Sequence, residues 1–256
     1  MLGKLLKYEI PALGRRLVPL FIGWCATAVL LGLAVGPAQS KSEFMVVITG
    51  LLYGAMATAV LVMSVILIIQ RYSNSLLGDE AYFNQVLPVT VSEHIASKGI
   101  SALIWVLLSG VAMLVTGLLI AVFSGVLFGV DIPWAAIFRQ IASTTAGEWL
   151  ALLEFIILSA FSITKSILAI YAAITIGHQA QKHTTMASIG AYIGLMVFET
   201  TIGRILVGLF PHLLSNIESV MDLNGFFGGG IFVTAALGAL YFFICKYFME
   251  NRLNLN

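Results

Sequence analysis

Six long runs of apolar residues, separated by short polar stretches, follow one another along the whole chain. A helix needs about 20 apolar residues to cross the hydrocarbon core of a bilayer, and each run reaches about that length, the third being longer than a bilayer needs. The pattern therefore predicts an all-α, polytopic membrane protein forming a single transmembrane domain over residues 1–256. The predicted spans cover roughly residues 17–35, 45–69, 100–130, 148–176, 186–210 and 229–246.

Residues 2–16, which precede the first span, have the pattern of an amphipathic helix lying at a membrane surface. Apolar side chains share one helical face and basic side chains supply the polar one: Leu2, Leu5, Leu6 and Leu13 against Lys4, Lys7 and Arg15. We predict an interfacial elbow helix that is kinked at Pro11. The alternative is simply a charged N-terminal flank.

Two further amphipathic stretches lie between spans. After the third span, one helical face is formed by Trp134, Ile137, Phe138 and Ile141. After the fifth, the stretch Pro211–Gly225 carries an apolar stripe of Leu213, Leu214, Ile217, Val220 and Met221. We predict a short helix in each, the second ending at Asn224–Gly225. The glycines at 228–230 permit either close helix packing or a hinge, and the pattern does not choose between them.

The longest polar interruption is Arg71–Lys98. Gly78 is suited to end one helix, and Asp79 to cap the next, with Glu80 in its first turn. Pro88 stops that short helix, and Thr90 and Glu93 have the spacing of a capping box that starts the third span. The pattern predicts a short helix that presents Tyr82 and Phe83 to a soluble partner. A solvated loop with ordinary caps is the alternative.

Composition supports the same class of protein. Hydrophobic residues make up 60% of the chain and charged residues 10%, with a mean hydropathy of +1.02. A soluble domain needs far more surface charge. The net charge of +1, with no basic run, gives no indication of a nucleic-acid partner. Cys25 and Cys245 lie in apolar segments, which predicts buried thiols and not a disulfide.

The distribution of basic residues predicts that both termini and the Arg71–Lys98 segment face the cytoplasm. In that orientation nine of the thirteen lysines and arginines are cytoplasmic: Lys4, Lys7, Arg15, Arg16, Arg71, Lys98, Lys182, Lys246 and Arg252. Only Lys41 and Arg139 lie outside, and the remaining two basic residues fall within spans.

Motifs for catalysis and nucleotide binding are absent from the sequence. No segment reads G-x-x-x-x-G-K-[ST], H-E-x-x-H or G-x-S-x-G. His178 and His183 are five residues apart, which is the wrong spacing for two zinc ligands on one helical face. We therefore expect loop histidines, no cofactor on this chain and no enzymatic activity of its own.

Four charged residues fall inside the predicted spans, away from the span ends. At 1.5 Å per residue from the loop between the fourth and fifth spans, Lys165 and Glu199 lie roughly 17 and 20 Å deep, and Glu154 and Arg204 roughly 33 and 27 Å. An unpaired charge at the bilayer centre costs about 3 kcal/mol. We therefore predict that Lys165 faces Glu199 and that Glu154 faces Arg204. Such pairs either lock two helices together, with Arg204 reaching the outer interface, or the first pair lines a substrate cavity.

The pieces LGKLLKYEI, LLGDEAYFNQVLPV and HIASK resemble the permease subunits of bacterial type-2 ABC exporters of Gram-positive type. The resemblance implies a permease dimer, with each copy docked on a separate ATPase subunit through a coupling helix between the second and third spans. That role would fall on Leu77, Gly78, Asp79, Glu80, Ala81, Tyr82 and Phe83. Asp79, Glu80 and Tyr82 match the motif, whereas Ala81 replaces its glycine. An extracellular helical hairpin before the last span is also implied, and Pro211–Gly225 fits it.

The expected function is that of the transmembrane subunit of an ATP-driven exporter in the bacterial cell membrane. ATP and magnesium would bind to the partner ATPase, and the other partners would be a second permease copy or homologue and membrane lipid. The main alternative is a secondary transporter driven by an ion gradient, for which the charges within the spans would form the ion path. An intramembrane enzyme is a third possibility, which the absent motifs disfavour.

Overall fold

Seven α-helices account for nearly all residues that the computed structural model describes, namely 2–35, 43–76, 89–128, 133–180, 183–209 and 220–251. In chain order they are α1 Leu2–Ala34, α2 Glu43–Leu76, α3 Val91–Phe128, α4 Trp134–Ala142, α5 Ala146–Gly177, α6 Thr184–Leu209 and α7 Val220–Asn251. No residue within these ranges lies in a strand. The predicted all-α class is confirmed.

All of these helices except α4 are long and apolar enough to cross a membrane. The chain is therefore a multi-pass membrane protein with the predicted number of spans. The helices extend beyond those spans, since the predicted sixth span is only the middle of α7. Apolar runs mark the part of a helix that suits hydrocarbon, whereas the helix itself continues to the point where its backbone hydrogen bonds end.

Both predicted capping boxes are present. The Glu93 carboxylate accepts a hydrogen bond from the Thr90 backbone N–H at 3.2 Å, and the Glu93 N–H donates to the Thr90 hydroxyl at 3.3 Å. At the start of α5, the Glu148 carboxylate accepts from the Thr145 backbone N–H at 2.7 Å. These bonds satisfy N–H groups that the first helical turn leaves without a partner. They explain why α3 and α5 begin where they do.

The N-terminal residues do not form a separate elbow helix. They are the first turns of α1, which continues through Pro11 to Ala34. The amphipathic pattern is real, because Lys4, Lys7 and Arg15 are exposed and Leu13 is buried. Leu13 packs in a cluster of apolar side chains, so protein and not a membrane surface covers this part of the helix. The interfacial position of the first turns stays a prediction.

The contacts divide the chain into two compact units. One contains Lys7–Ile68 and Ile104–Ser143. Its core is a cluster of Leu13, Leu17, Leu67 and Trp105, with Ile10, Leu20 and Phe21 packed against it. The Trp105 indole N–H donates to the Ile10 carbonyl at 3.0 Å, and its ring lies where a side chain at Gly14 would otherwise project. Close packing joins α1, α2 and α3, and the indole hydrogen bond adds a polar contact between α1 and α3.

The other unit contains Met1–Leu6, Ile69–Leu103 and Thr144–Asn256. Within it α5 packs against both α6 and α7. Gly177 lies against Ser188, and Lys165 lies against Glu199. Moving back along α5 therefore corresponds to moving forward along α6, as the short loop between them predicts. The two helices are antiparallel neighbours.

The pair α5 and α7, by contrast, is parallel. The Phe155 and Phe227 rings are 5.9 Å apart between centroids. One turn later on both helices, a Cβ added at Gly230 would lie 3.1 Å from the Leu158 side chain. Gly230 thus permits close packing between the helices, which settles the role of this glycine. No such contact exists at Gly228 or Gly229, where a Cβ would meet no atom within 4 Å.

The predicted helix end at Asn224–Gly225 is wrong. Both residues lie inside α7, which begins at Val220 and continues to Asn251. A glycine in a helix interior costs about 1 kcal/mol of helix stability relative to alanine. Where the neighbouring side chains of the helix pack against other helices, that packing outweighs the cost. Residues 211–219 of the predicted extracellular helix lie outside the described residues.

Candidate functional site

Two of the four charged residues within the spans form an ion pair. The Lys165 ammonium donates to Glu199 Oε1, joining the middle of α5 to the middle of α6, as the residue count predicted. Lys165 is the more enclosed partner, with 12% of its side chain exposed against 32% for Glu199. The second carboxylate oxygen of Glu199 accepts a long hydrogen bond of 3.5 Å from the Tyr241 hydroxyl of α7. Three helices therefore meet at this carboxylate.

This pair lies close to the middle of the membrane. Lys165 is twelve residues from the end of α5 at Gly177, and Glu199 is fifteen residues from the start of α6 at Thr184. These separations correspond to roughly 18 and 22 Å, and the hydrocarbon core is about 30 Å thick. At that depth a charge facing lipid costs about 3 kcal/mol. Formation of the pair removes most of that cost.

A small cavity adjoins the ion pair. Its volume is about 80 Å³, and its lining combines the pair with aromatic, hydroxyl and apolar side chains: Lys165, Ser166, Ala169, Tyr192, Leu195, Met196 and Glu199. Pockets for drug-sized ligands are about 300–1,000 Å³. On this chain alone the cavity has room for a few waters or for one small polar group. Each helix contributes one charge, Lys165 from α5 and Glu199 from α6, and α6 also supplies the aromatic ring and the thioether.

Glu154 and Arg204 are not paired, and the prediction for them is wrong. Glu154 Oε2 is buried and accepts no hydrogen bond among the described residues, while Arg204 is exposed. The register of α5 and α6 gives the reason. Continued from the Lys165–Glu199 pair, it places Glu154 about six residues, or roughly 9 Å, beyond Arg204. Counting from the loop underestimated that offset.

A second polar cluster, which sequence reasoning missed, lies where α2, α5 and α7 end. The Tyr72 ring stacks on Tyr171 with centroids 3.8 Å apart, and its hydroxyl shares a 2.8 Å hydrogen bond with Thr175. The Tyr72 hydroxyl also lies 3.7 Å from the Met249 sulfur, and the Cys245 thiol donates to a carbonyl of α5 at 3.9 Å. All five side chains are buried. We refer to them as the tyrosine cluster.

The sequence offered little indication of the tyrosine cluster. Its members come from three distant segments, and each residue alone is typical of a membrane helix. The predicted buried thiol at Cys245 is confirmed, and Cys25 is half-buried; neither forms a disulfide. The C-terminal ends of α2, α5 and α7 thus share one location. A chain of consecutive antiparallel spans gives this arrangement for its second, fourth and sixth members.

A polar stripe on the first turns of α3 is also buried: His94, Ser97, Lys98 and Ser101. These positions repeat at the spacing of one helical face. Polar residues at helical spacing were a signal that the sequence offered, because such a face also suits polar contacts inside the protein. Lys98 was counted only as a cytoplasmic charge, although just 4% of it is exposed.

The predicted docking residues Leu77–Phe83 lie outside the described residues. The structure does describe both sides of them: α2 ends at Leu76, four residues after Tyr72, and α3 begins at Val91 with its capping box. The segment is thus connected on one side to the tyrosine cluster and on the other to the helix that carries the buried polar stripe.

Comparison of the chain with protein-family models, with curated proteins and with solved structures finds no match.

Proposed function

We propose that this chain is the transmembrane subunit of an ATP-driven exporter and that a separate ABC-type ATPase docks on Leu77–Phe83. The resemblance of the loop between α2 and α3 to type-2 exporter permeases motivates the assignment. Six apolar helices supply a transport scaffold, and the sequence carries no nucleotide-binding motif of its own. ATP and magnesium therefore belong to the partner, and the chain itself is not an enzyme.

The observation that carries this proposal is the way in which the tyrosine cluster holds α2. Tyr72 is fully buried, stacks on Tyr171 and is hydrogen-bonded to Thr175. A force applied to the segment after Leu76 reaches α5 and α7 through these contacts, because close-packed side chains transmit displacement. A docking segment needs such a connection to convert movement of an ATPase into movement of the spans.

The proposal includes an orientation and an assembly. The excess of basic residues on the side of the termini supports a cytoplasmic position for both ends and for the docking segment, in a bacterial cell membrane. A second permease copy, or a homologue of it, completes the transporter. Two copies together would enclose a larger space than the roughly 80 Å³ beside Lys165 and Glu199.

A secondary transporter is the second candidate, and the ion pair is the observation that favours it. Ionisable residues within membrane spans often lie on ion or proton pathways. The two functions differ in their energy source. In proteoliposomes, an ABC subunit needs its ATPase and ATP for transport, whereas a secondary transporter needs only an ion gradient across the membrane.

The docking assignment is tested by charge reversal. In the double variant Asp79→Lys/Glu80→Lys, repulsion from a cationic ATPase surface would weaken docking, since juxtaposed like charges cost several kcal/mol. In co-purification from detergent, we expect the double variant to recover the partner ATPase subunit at a level lower by about tenfold or more. Glu250→Lys is the matched control, because Glu250 is an exposed carboxylate at the end of α7. Unchanged ATPase recovery and unchanged stimulation of its hydrolysis in the double variant would remove the docking proposal.

A further inference from the structure

The cavity beside α6 offers a carboxylate more openly than an ammonium group. Glu199 is 32% exposed and Lys165 only 12%. Lys165 occupies Oε1 of Glu199, and among the described residues Oε2 accepts only the 3.5 Å bond from Tyr241. A carboxylate has about four acceptor sites on its two oxygens. Glu199 therefore retains capacity for another donor on the side that opens to the cavity.

The surroundings of Glu199 favour an organic cation as that donor. Tyr192 adds an aromatic ring to the cavity wall, and Met196 adds a polarisable thioether. Aromatic faces attract ammonium groups, and thioethers adapt to irregular apolar ligands. The apolar side chains of this wall offer no ligand or hydrogen bond to a hydrated metal ion. The volume of about 80 Å³ suits the head of a ligand and not the whole molecule.

The exposed face of α6 indicates what the rest of the ligand is. No residue of α6 is buried. Exposed apolar side chains lie within about one turn of the cavity on that helix: Ile189, Ile193, Met196 and Val197. A ligand with its charged head at Glu199 has an apolar surface for a chain beside it. A carboxylate one-third exposed at mid-membrane depth also needs a polar or cationic neighbour and not lipid tails.

We propose that Glu199, with Tyr192 and Met196, binds the ammonium head of a cationic amphiphile whose apolar chain lies along α6. Lys165 is a positioning residue that holds Glu199 Oε1 and directs Oε2 towards the ligand. The ligand's role as the exported substrate rests on the proposed function, but binding at Glu199 does not require the ATPase.

Equilibrium binding to the full-length chain in nanodiscs tests this site without any ATPase. The probes are radiolabelled dodecylammonium and dodecanoate at neutral pH, which share a tail and differ in the sign of the head; protein-free nanodiscs correct for partition into lipid. We expect saturable binding of dodecylammonium only. Glu199→Gln should weaken it by about tenfold or more, as expected for loss of one charge-assisted hydrogen bond. Glu250→Gln, in the exposed Lys246–Glu250 pair, should leave it unchanged.

Glu199→Gln alone leaves Lys165 unpaired and could lose binding by misfolding. The double variant Lys165→Met/Glu199→Gln is therefore tested as well, because it leaves no unpaired charge. Retention of wild-type dodecylammonium affinity in this folded variant overturns the proposal. Equal binding of dodecanoate and dodecylammonium to the wild type, or saturable binding of neither, also overturns it. None of these results affects co-purification of the ATPase with the wild-type chain, so failure of the ligand proposal is distinguishable from failure of the docking proposal.

Discussion

The helix α5 has two different polar regions, one closed and one open. At its C-terminal end, the rings and hydroxyls of the tyrosine cluster are all buried among α2, α5 and α7. In its middle, Lys165 and Glu199 share an ion pair beside a cavity, and Glu199 stays one-third exposed. Both regions use polar groups within an apolar helix. They differ in whether protein alone satisfies those groups.

This difference separates the C-terminal end of the helix from its middle. A fully packed cluster has one low-energy arrangement and moves as a unit, because displaced side chains lose contacts on all sides. An ion pair next to open space can exchange a partner for water or for a ligand at smaller cost.

The largest effect is expected from Tyr171→Ala in the closed region. Tyr171 is 1% exposed and stacks on Tyr72, so its truncation leaves a cavity among three helices. Aromatic-to-alanine changes in cores cost about 3–5 kcal/mol. We expect a loss of that order in the free energy of unfolding, measured by denaturant titration in detergent micelles. The control is Tyr247→Ala, since Tyr247 is 56% exposed on α7 and should cost less than about 1 kcal/mol. Similar losses of stability for the two variants would contradict the conclusion that the tyrosine cluster is fully packed.

Smaller losses are expected in the open region. Lys165→Met and Glu199→Gln should each lower the free energy of unfolding by about 2 kcal/mol, the range for hydrogen bonds to charged groups. The double variant should lose less than the two single losses combined, because it leaves no unpaired charge. Strictly additive losses would show that the pair is not coupled.

Exchanging the two charges sharpens the same comparison. The variant Lys165→Glu/Glu199→Lys should retain most of the stability, since the ion pair can reform, but should no longer bind dodecylammonium. Stability is measured by the same titration and binding in nanodiscs. If the swapped variant binds the cationic probe as well as the wild type does, the position of the carboxylate is unimportant and the proposed site is wrong.

The smallest effect is expected at Gly190 of α6, in contrast to Gly177, where α5 packs on α6. A Cβ at Gly177 would overlap Ser188, whereas one at Gly190 would meet no atom within 4 Å. Gly177→Ala should therefore cost about 1–3 kcal/mol through overpacking. Gly190→Ala should be neutral or stabilising by up to about 1 kcal/mol, because alanine favours the helix. Thermal unfolding of the two variants side by side measures the difference, and destabilisation by Gly190→Ala would reveal a contact on α6 that one copy of the chain does not make.

Local signals accounted for the features that the sequence predicted correctly. Thr90 with Glu93 and Thr145 with Glu148 form capping boxes, because such bonds depend only on residues three positions apart. The pairing of Lys165 with Glu199 also followed from the chain, since a short loop makes neighbours of α5 and α6. That argument failed for Glu154 and Arg204, which lie farther from the loop and were offset by several residues.

The sequence by itself determined an all-helical membrane protein with six spans, two capped helix starts and one ion pair in the middle of the membrane. Each of these depends on hydrophobicity over about 20 residues or on groups that the chain holds close together. Only the tertiary structure decided that α2, α5 and α7 meet in the tyrosine cluster, that α7 continues through Asn224 and Gly225, and that Glu199 faces a cavity. Those features depend on packing between distant segments, for which an apolar helix offers many similar faces and no local preference among them.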